Sequence, residues 1–313
     1  MILRTRRAFP KPAGSPCQRI ACLTMAVVIV LPAHFLPAYA QQQSPGAAAL
    51  QATRNELLPQ LSNNAFKEPI YLTSREEKKQ IEGDIYAEVA NPFADVTAAF
   101  KSARTVCELV ILHLNVRACQ ASGNSGSETV NMALGPKRAM TSGELYRISY
   151  ALRIEADTPA YFKASMRAQK GPLGTHDYRI VFEAMPTGSK QSFAHFSYSY
   201  SYDTMAKMAM DLYLATAGRN KIGFTVVGQN PDGQALHVSG ERGSLERNVM
   251  RYYLALLAYS SITAGTPQEK MEARLKKWFA LTERYPAQLH ELELKEYLEE
   301  KRAELARSSI GAK

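Results

Sequence analysis

The chain has 313 residues, of which 46% are hydrophobic and 21% are charged, proportions typical of a globular protein with one or two domains. The net charge is +9, but five cations lie in the first 40 residues, which contain no Asp or Glu. The rest has only a mild excess and no basic stripe interleaved with aromatic residues. This pattern argues against nucleic-acid binding and allows at most a weak attraction to anionic membrane surfaces.

The first 40 residues have the pattern of a secretory signal peptide. A basic start is followed by an apolar run over 20–31 and by an A-x-A site, Ala38-Tyr39-Ala40. We therefore expect cleavage near Ala40 and a periplasmic or secreted protein. An N-terminal membrane anchor is the alternative, although the apolar run is shorter than the ~20 residues that a span needs. Arg6-Arg7 allows twin-arginine export as a further alternative, and Cys22, at the start of the apolar run, argues against a lipoprotein.

Two cysteines remain after this cleavage, Cys107 and Cys119. In an oxidising compartment they are expected to form a disulfide that stabilises the fold by about 3 kcal/mol. The alternative is two separate buried thiols. No C-x-x-C motif or His/Cys cluster is present, which argues against a thiol oxidoreductase or a zinc site.

The region 41–78 is predicted to be an N-terminal linker with one short helix. Residues 41–50 are rich in Gln, Ala, Ser, Pro and Gly, which favours disorder. Leucines over 47–62 predict a short amphipathic helix, and 74–77 indicates a helix start or a turn.

A domain over 79–265 contains most of the predicted strands. Period-two alternation is clear over 81–89 and 146–155. Asn91-Pro92 predicts a helix over 92–110, because Asn caps and Pro begins helices. Further strands are predicted over 113–116, 129–134, 162–168, 178–185, 196–202, 221–227 and 234–238, with a loop over 122–127, turns over 170–175, 186–189 and 230–233, and a helix over 205–217.

The long helix predicted over 240–262 is apolar nearly all round, since Arg251 is the only charge between Val249 and Ile262. Such a helix is expected to be buried on more than one side. One cover is the antiparallel sheet, and the other is the 205–217 helix or the tail. The tail, over 266–313, is predicted to be a charged helical segment that Pro286 divides in two.

Strands followed by a long apolar helix predict an α+β fold. Residues 85–100, IYAEVANPFADVTAAF, lead from a strand into a helix through Asn91-Pro92, and this pattern resembles the START-like, helix-grip superfamily, also called SRPBCC. The resemblance covers about 80–262. It implies a curved antiparallel sheet wrapped around the long helix, with a cavity between them for a lipid, sterol or aromatic compound.

Candidate ligand-binding residues follow from this reading. Aromatic side chains on the strands offer apolar walls with polar tips, and Arg247 or Arg251 on the helix can meet a carboxylate or phosphate headgroup. The full set is Tyr150, Phe182, Tyr198, Tyr200, Phe224, Arg247, Met250, Arg251 and Leu254. The alternatives are that the aromatic rows are a filled core and that Arg247 pairs with a sheet carboxylate.

No catalytic, cofactor or metal site is predicted. The histidines are scattered without metal-ligand spacing, and there is no G-x-S-x-G or glycine-rich phosphate loop. His176 and Asp177 are adjacent, and neighbours on a strand point to opposite faces, so a dyad is not expected.

Three functions remain open. The first is an exported protein that binds an apolar small molecule, with the tail as a possible contact for a membrane or a protein. The second is a structural or partner-binding protein with a filled core and an interacting tail. The third is a cyclase-like or hydrolase-like enzyme that uses the cavity.

Overall fold

A computed structural model describes residues 45–124, 126–135, 145–204, 207–208 and 221–310, with side chains up to residue 307. The predicted signal peptide lies outside these residues. So does the helix predicted over 205–217, apart from residues 207 and 208. None of the described helices is both long and apolar enough to cross a membrane.

The described part of the chain is α+β. Its helices are α1 (Pro45–Ser62), α2 (Phe93–Ala98), α3 (Ala103–Val110), α4 (Gly240–Ser261), α5 (Pro267–Thr282), α6 (Pro286–Leu289) and α7 (Leu294–Ile310). Its strands are β1 (Ile70–Glu77), β2 (Gln80–Val89), β3 (Val116–Asn124), β4 (Ser127–Leu134), β5 (Tyr146–Thr158), β6 (Tyr161–Lys170), β7 (Thr175–Gly188), β8 (Gln191–Tyr202), β9 (Val226–Gln229) and β10 (Ala235–His237).

Eight strands form one antiparallel sheet in the order β1-β2-β8-β7-β6-β5-β4-β3. The helices α2 and α3 connect β2, the second strand of this order, to β3 at its far end, and the long α4 packs against β1, β2 and β8. A curved antiparallel sheet that holds a long C-terminal helix is the helix-grip arrangement, as the sequence predicted. The hairpin partner β1, the helix α1 and the tail after α4 are additions to it.

The two faces of the sheet have different roles. The inner face, towards α4, carries buried apolar residues at alternate positions, including Ile81, Ile85, Phe162, Met166, Ile180, Phe182 and Phe196. On the outer face α1 covers a smaller apolar cluster of Ala47, Leu50, Leu61, Tyr161, Met185 and Phe193. The predicted alternation in β2, β6 and β8 is confirmed, whereas Tyr146 and Ile154 near the ends of the β5 pattern are exposed.

Several predicted elements are wrong in detail. Residues 45–50, expected to be disordered, belong to α1. Residues 70–77, assigned to a linker and a helix start, form the edge strand β1, whose last three residues are charged and exposed and hide the strand pattern. The helix predicted over 92–110 is two helices, because Ser102 starts a new one with a capping box. Strand β3 begins at Val116 and continues to Asn124, into the predicted loop.

The tail packs onto its own chain. Trp278 of α5 is fully buried, and its Nε1 donates to the carbonyl of Arg251 in α4 at 3.0 Å. Lys301 of α7 donates to the carbonyls of His113 and Val116, each at 2.8 Å. The second cover for the long helix is therefore supplied in part by the tail, as the sequence allowed.

The predicted disulfide is confirmed. Cys107 in α3 and Cys119 in β3 are bonded, with their Cα atoms 5.3 Å apart. The bond joins the helix that lies on the inner face to the edge of the sheet.

Candidate functional site

Five tyrosines meet between the sheet and the long helix. Alternation along β8 directs Tyr198 and Tyr200 inwards, where they join Tyr150 of β5 and Tyr178 of β7, and Tyr252 comes from α4. The ring centroids of Tyr178 and Tyr200 are 5.2 Å apart, those of Tyr150 and Tyr178 are 6.1 Å apart, and those of Tyr198 and Tyr252 are 6.3 Å apart. These separations are typical of interacting aromatic pairs.

Tyr198 and Tyr252 keep accessible surface although they lie in the interior. Both side chains are only half-buried, yet burial raises the pKa of each hydroxyl well above its ordinary value. The two rings pack edge-on between sheet and helix, with an interplanar angle of 78°. The accessible surface that both rings keep there is the candidate recess for a ligand.

The hydroxyl groups of this cluster are unequally satisfied. Tyr178 donates to Thr175 Oγ1 at 2.7 Å. Among the described residues, the hydroxyls of Tyr200 and Tyr252 have no hydrogen-bond partner, and neither is among the atoms that are shut off from solvent without one. Burial raises the pKa of Tyr200 as well, so all these phenols are neutral at neutral pH and can act as donors.

Most of the predicted aromatic residues come together, but one does not. Tyr150, Tyr198 and Tyr200 are in the cluster, and Phe182 lies beside it in the same inner-face core, stacked on Phe100 with centroids 4.2 Å apart. Phe224 instead packs against Phe66 and Tyr285, with centroids 5.5 Å and 5.6 Å away. It lies apart from the tyrosines, because the segment before β9 runs outside the strand series of the large sheet, and its role towards a ligand stays a prediction.

The helix residues predicted to bind ligand are buried in α4. Met250 and Leu254 are 0% and 1% exposed. Arg247 donates to the carbonyl of Ile222 at 3.1 Å. Arg251 donates to the carbonyl of Leu289 at 3.3 Å and to Glu291 Oε1 at 3.1 Å. Both arginines thus bind loop and tail segments, and their role towards a ligand stays a prediction.

A histidine network on the outer face escaped the sequence analysis. His195 Nε2 lies 2.9 Å from Asp84 Oδ1, and His195 Nδ1 lies 2.9 Å from Glu183 Oε1. Desolvation lowers the pKa of His195, but its hydrogen bonds to the two carboxylates outweigh this and raise it. The sequence does place one polar residue at an outer-face position of each of the three strands. These three side chains come together only when the strands pair.

The expectation for His176 and Asp177 is wrong. His176 Nδ1 lies 2.8 Å from Asp177 Oδ2, although the residues are adjacent in β7. The strand is irregular between His176 and Arg179, and Asp177 has a φ of 51°, so the usual opposition of neighbours is lost. Both side chains are exposed, at 43% and 69%, which is typical of a surface pair.

Within the described residues, no group of three or more His, Cys, Asp or Glu side chains is placed to hold a metal ion. The interior site consists of phenol groups and aromatic rings, including the buried His113 imidazole, which stacks on Tyr252 with centroids 4.8 Å apart. Such a recess can hold an apolar molecule by contact and orient it through hydrogen bonds.

The strand order and the gripped helix define the chain as a protein with the START-like, helix-grip fold. No protein-family model and no curated protein matches the chain. Among solved structures it is similar to the ZhuI aromatase/cyclase from Streptomyces sp. R1128, at 13% identity over 61% of this chain and 94% of that chain, with a TM-score of 0.33.

Two further structures are similar to it. One is the norcoclaurine synthase from Thalictrum flavum in complex with dopamine and hydroxybenzaldehyde, at 15% identity over 48% of this chain and 80% of that chain, with a TM-score of 0.30. The other is a START superfamily protein from Mycobacterium smegmatis, at 13% identity over 45% of this chain and 97% of that chain, with a TM-score of 0.30. At these values the fold assignment depends on the topology described above, and nothing about activity follows.

Proposed function

We propose that this protein is exported and binds an apolar small molecule, such as a lipid, sterol or aromatic compound, between the sheet and α4. The observation that carries the proposal is the pair Tyr198 and Tyr252, which pack edge-on between the sheet and α4 and yet both keep accessible surface. A filled core would leave no such surface on two interior rings.

The free hydroxyls support a ligand that carries at least one hydrogen-bonding group. A buried hydroxyl without a partner costs about 1–3 kcal/mol, so tyrosine hydroxyls in protein interiors usually find one. Among the described residues the Tyr252 hydroxyl has no such partner and is not shut off from solvent, so it remains open to one. A ligand oxygen or nitrogen placed there would supply the missing partner.

The chemistry of the cluster favours binding over catalysis. Burial raises the pKa of Tyr198, Tyr200 and Tyr252, so none of these phenols is poised to accept a proton at neutral pH. His195, the most strongly engaged histidine, lies on the outer face, away from the cluster. A neutral donor set surrounded by rings orients a ligand and leaves it unchanged.

The test is binding of an apolar fluorescent probe, 1-anilinonaphthalene-8-sulfonate, to the folded protein. Removing two hydroxyls in Tyr198→Phe/Tyr252→Phe keeps ring size but removes the polar contacts, so we expect weaker probe binding by about tenfold. Tyr253→Phe is the matched control, because Tyr253 is the next residue of α4 and is buried outside this cluster, near Tyr285. Equal effects of both changes, or no saturable binding by the native protein, would refute the proposed site.

Export is tested separately. The mature N-terminus of protein recovered from outside the cytoplasm is expected to be Gln41, after the A-x-A site. The Cys107–Cys119 bond supports an oxidising compartment, where disulfides persist. An unprocessed N-terminus on a cytoplasmic protein would overturn this part of the proposal and leave the ligand site unaffected.

A further inference from the structure

The outer face of the sheet carries an open groove of about 1000 Å³, on the opposite side from the tyrosine cluster. Short side chains such as Ser149, Ala151 and Ser199 line it. Long cationic side chains also line it, namely Arg147, Arg167, Lys170 and Arg179. Because the short side chains cannot rise as far from the sheet, the cations form the walls of the groove.

Strand register places two of these arginines directly against each other. Arg167 of β6 pairs with Arg179 of β7, and Ala151 and Ser199 flank the pair on β5 and β8. Both arginines are exposed on the outer face. Like charges directly opposite on neighbouring strands destabilise a sheet, so this arrangement opposes folding unless something compensates it.

Acidic residues near the pair are already engaged. Glu82, which follows Ser199 in the same row, lies 2.6 Å from Arg75. Asp177 is bound to His176. In the parts of the chain that the structure describes, Arg147, Arg167 and Arg179 have no ion pair or hydrogen bond with an acid. Asp177 is the one carboxylate that lines the groove, against four cations, so the groove keeps a net positive charge.

We propose that this groove binds a small molecule with two or more phosphate groups. The guanidinium fork suits phosphate oxygens, and hydroxyls such as that of Ser199 can donate alongside. The cations extend over β5, β6 and β7, a width of about 10 Å at the usual strand spacing, which is more than one phosphate needs. The groove is concave, so a compact polyanion can enter between the arginines and the short side chains, whereas a flat membrane surface would reach only the tips.

This site is independent of the proposed apolar site. It lies on the other face of the sheet, and apart from Tyr178, which also borders the groove, it uses other residues of β5, β7 and β8. Failure of either proposal leaves the other intact, because loss of the arginines does not change the tyrosine recess.

The test is calorimetric titration of the folded protein with inorganic tripolyphosphate. We expect saturable binding that weakens about tenfold in Arg167→Gln and in Arg179→Gln, since each removes a charge-assisted contact. The double variant should bind weakest and yet unfold at a urea concentration no lower than the native protein, because the like-charge pair is gone. Arg104→Gln is the control: it removes one exposed arginine from α3, on the inner side of the sheet, and should change nothing.

Three outcomes would overturn the proposal. The first is the absence of saturable binding by the native protein. The second is an equal loss of affinity in Arg104→Gln, which would indicate diffuse attraction to the net charge. The third is binding to phosphatidylglycerol vesicles without binding to tripolyphosphate, which would identify a membrane surface as the occupant.

Discussion

Gly83 of β2 and Leu245 of α4 approach so closely that a Cβ added to the glycine would stand 3.0 Å from Leu245 Cδ2. The same added Cβ would lie 3.1 Å from Cγ2 of Val249, one turn further along α4. The absence of a side chain at Gly83 thus allows α4 to pack closely against β2.

Replacing Gly83 should weaken the packing of α4 on the sheet. Gly83→Ala requires the side chains of Leu245 and Val249 to give way by a few tenths of an ångström. Both are fully buried between helix and sheet, so we expect the free energy of unfolding to fall by about 1–3 kcal/mol, measured by urea denaturation. Gly228→Ala is the control, because a Cβ there meets no atom within 4 Å. Unchanged stability in Gly83→Ala would show that α4 does not bear on β2 at this point.

The outer-face network should make stability depend on pH. The pKa of His195 is raised above its ordinary 6.5, so its contribution is complete below pH 6.5 and is lost as the pH rises through the folded value. The pKa of Glu183 is lowered below 4.5, by hydrogen bonds from His195 and Tyr161 that outweigh desolvation, so its contribution is lost as the pH falls through that lower value. The network is therefore strongest between pH 4.5 and 6.5.

His195→Gln tests this dependence. Asp84 and Glu183 accept bonds from His195, Lys163 lies 3.9 Å from Glu183, and Tyr86 stacks on the imidazole at 4.1 Å. Urea midpoints measured from pH 5 to pH 9 should fall with rising pH in the native protein more than in the variant. Parallel curves would mean that His195 does not change its charge within that range.

Lys301 should hold the tail in place. Its Nζ donates to the carbonyls of His113 and Val116 and lies 3.0 Å from Glu304. Desolvation lowers the pKa of Lys301 to about 8. Burying the charged amine therefore costs free energy, and these hydrogen-bond partners offset that cost. Lys301→Met removes the cation and leaves Glu304 with Arg117 as its cationic partner, and the expected loss, mainly from the two carbonyls left unpaired, is about 1–3 kcal/mol. Lys295→Met, on the exposed side of the same helix, should leave the stability almost unchanged. Thermal melts of the two variants measure the difference.

The disulfide should stabilise the fold by restricting the unfolded chain. Cys107→Ser/Cys119→Ser opens a loop with a sequence separation of 12, and we expect a loss of about 3 kcal/mol. Thermal melts of the variant and of the reduced native protein should agree. A reduced native protein as stable as the oxidised one would show that the bond does not constrain the unfolded chain.

Local patterns were enough to predict the architecture. Alternation in β2, β6 and β8, the Asn91-Pro92 turn and the uniformly apolar α4 are each readable within a short window. Strand β1 was missed because its last three residues, Arg75-Glu76-Glu77, are exposed and charged, as suits an edge strand.

Features that depend on register were beyond local patterns. His195 and Asp84 are 111 residues apart, and the opposition of Arg167 and Arg179 exists only in the paired strands. Sequence alone also grouped Phe224 with the cluster tyrosines, since nothing local shows that its segment leaves the large sheet. Aromatic alternation on β8 did identify Tyr198 and Tyr200, whereas Tyr252 of α4, the facing residue, was not singled out.

Native mass spectrometry of the exported protein tests the central proposal most directly. Protein recovered under gentle conditions is predicted to carry an apolar small molecule, seen as a discrete added mass that is released on unfolding. Occupancy should fall in Tyr198→Phe/Tyr252→Phe and remain in Tyr253→Phe. Native protein that is free of ligand in every preparation, and that takes up no lipid, sterol or aromatic compound when these are added, would contradict it.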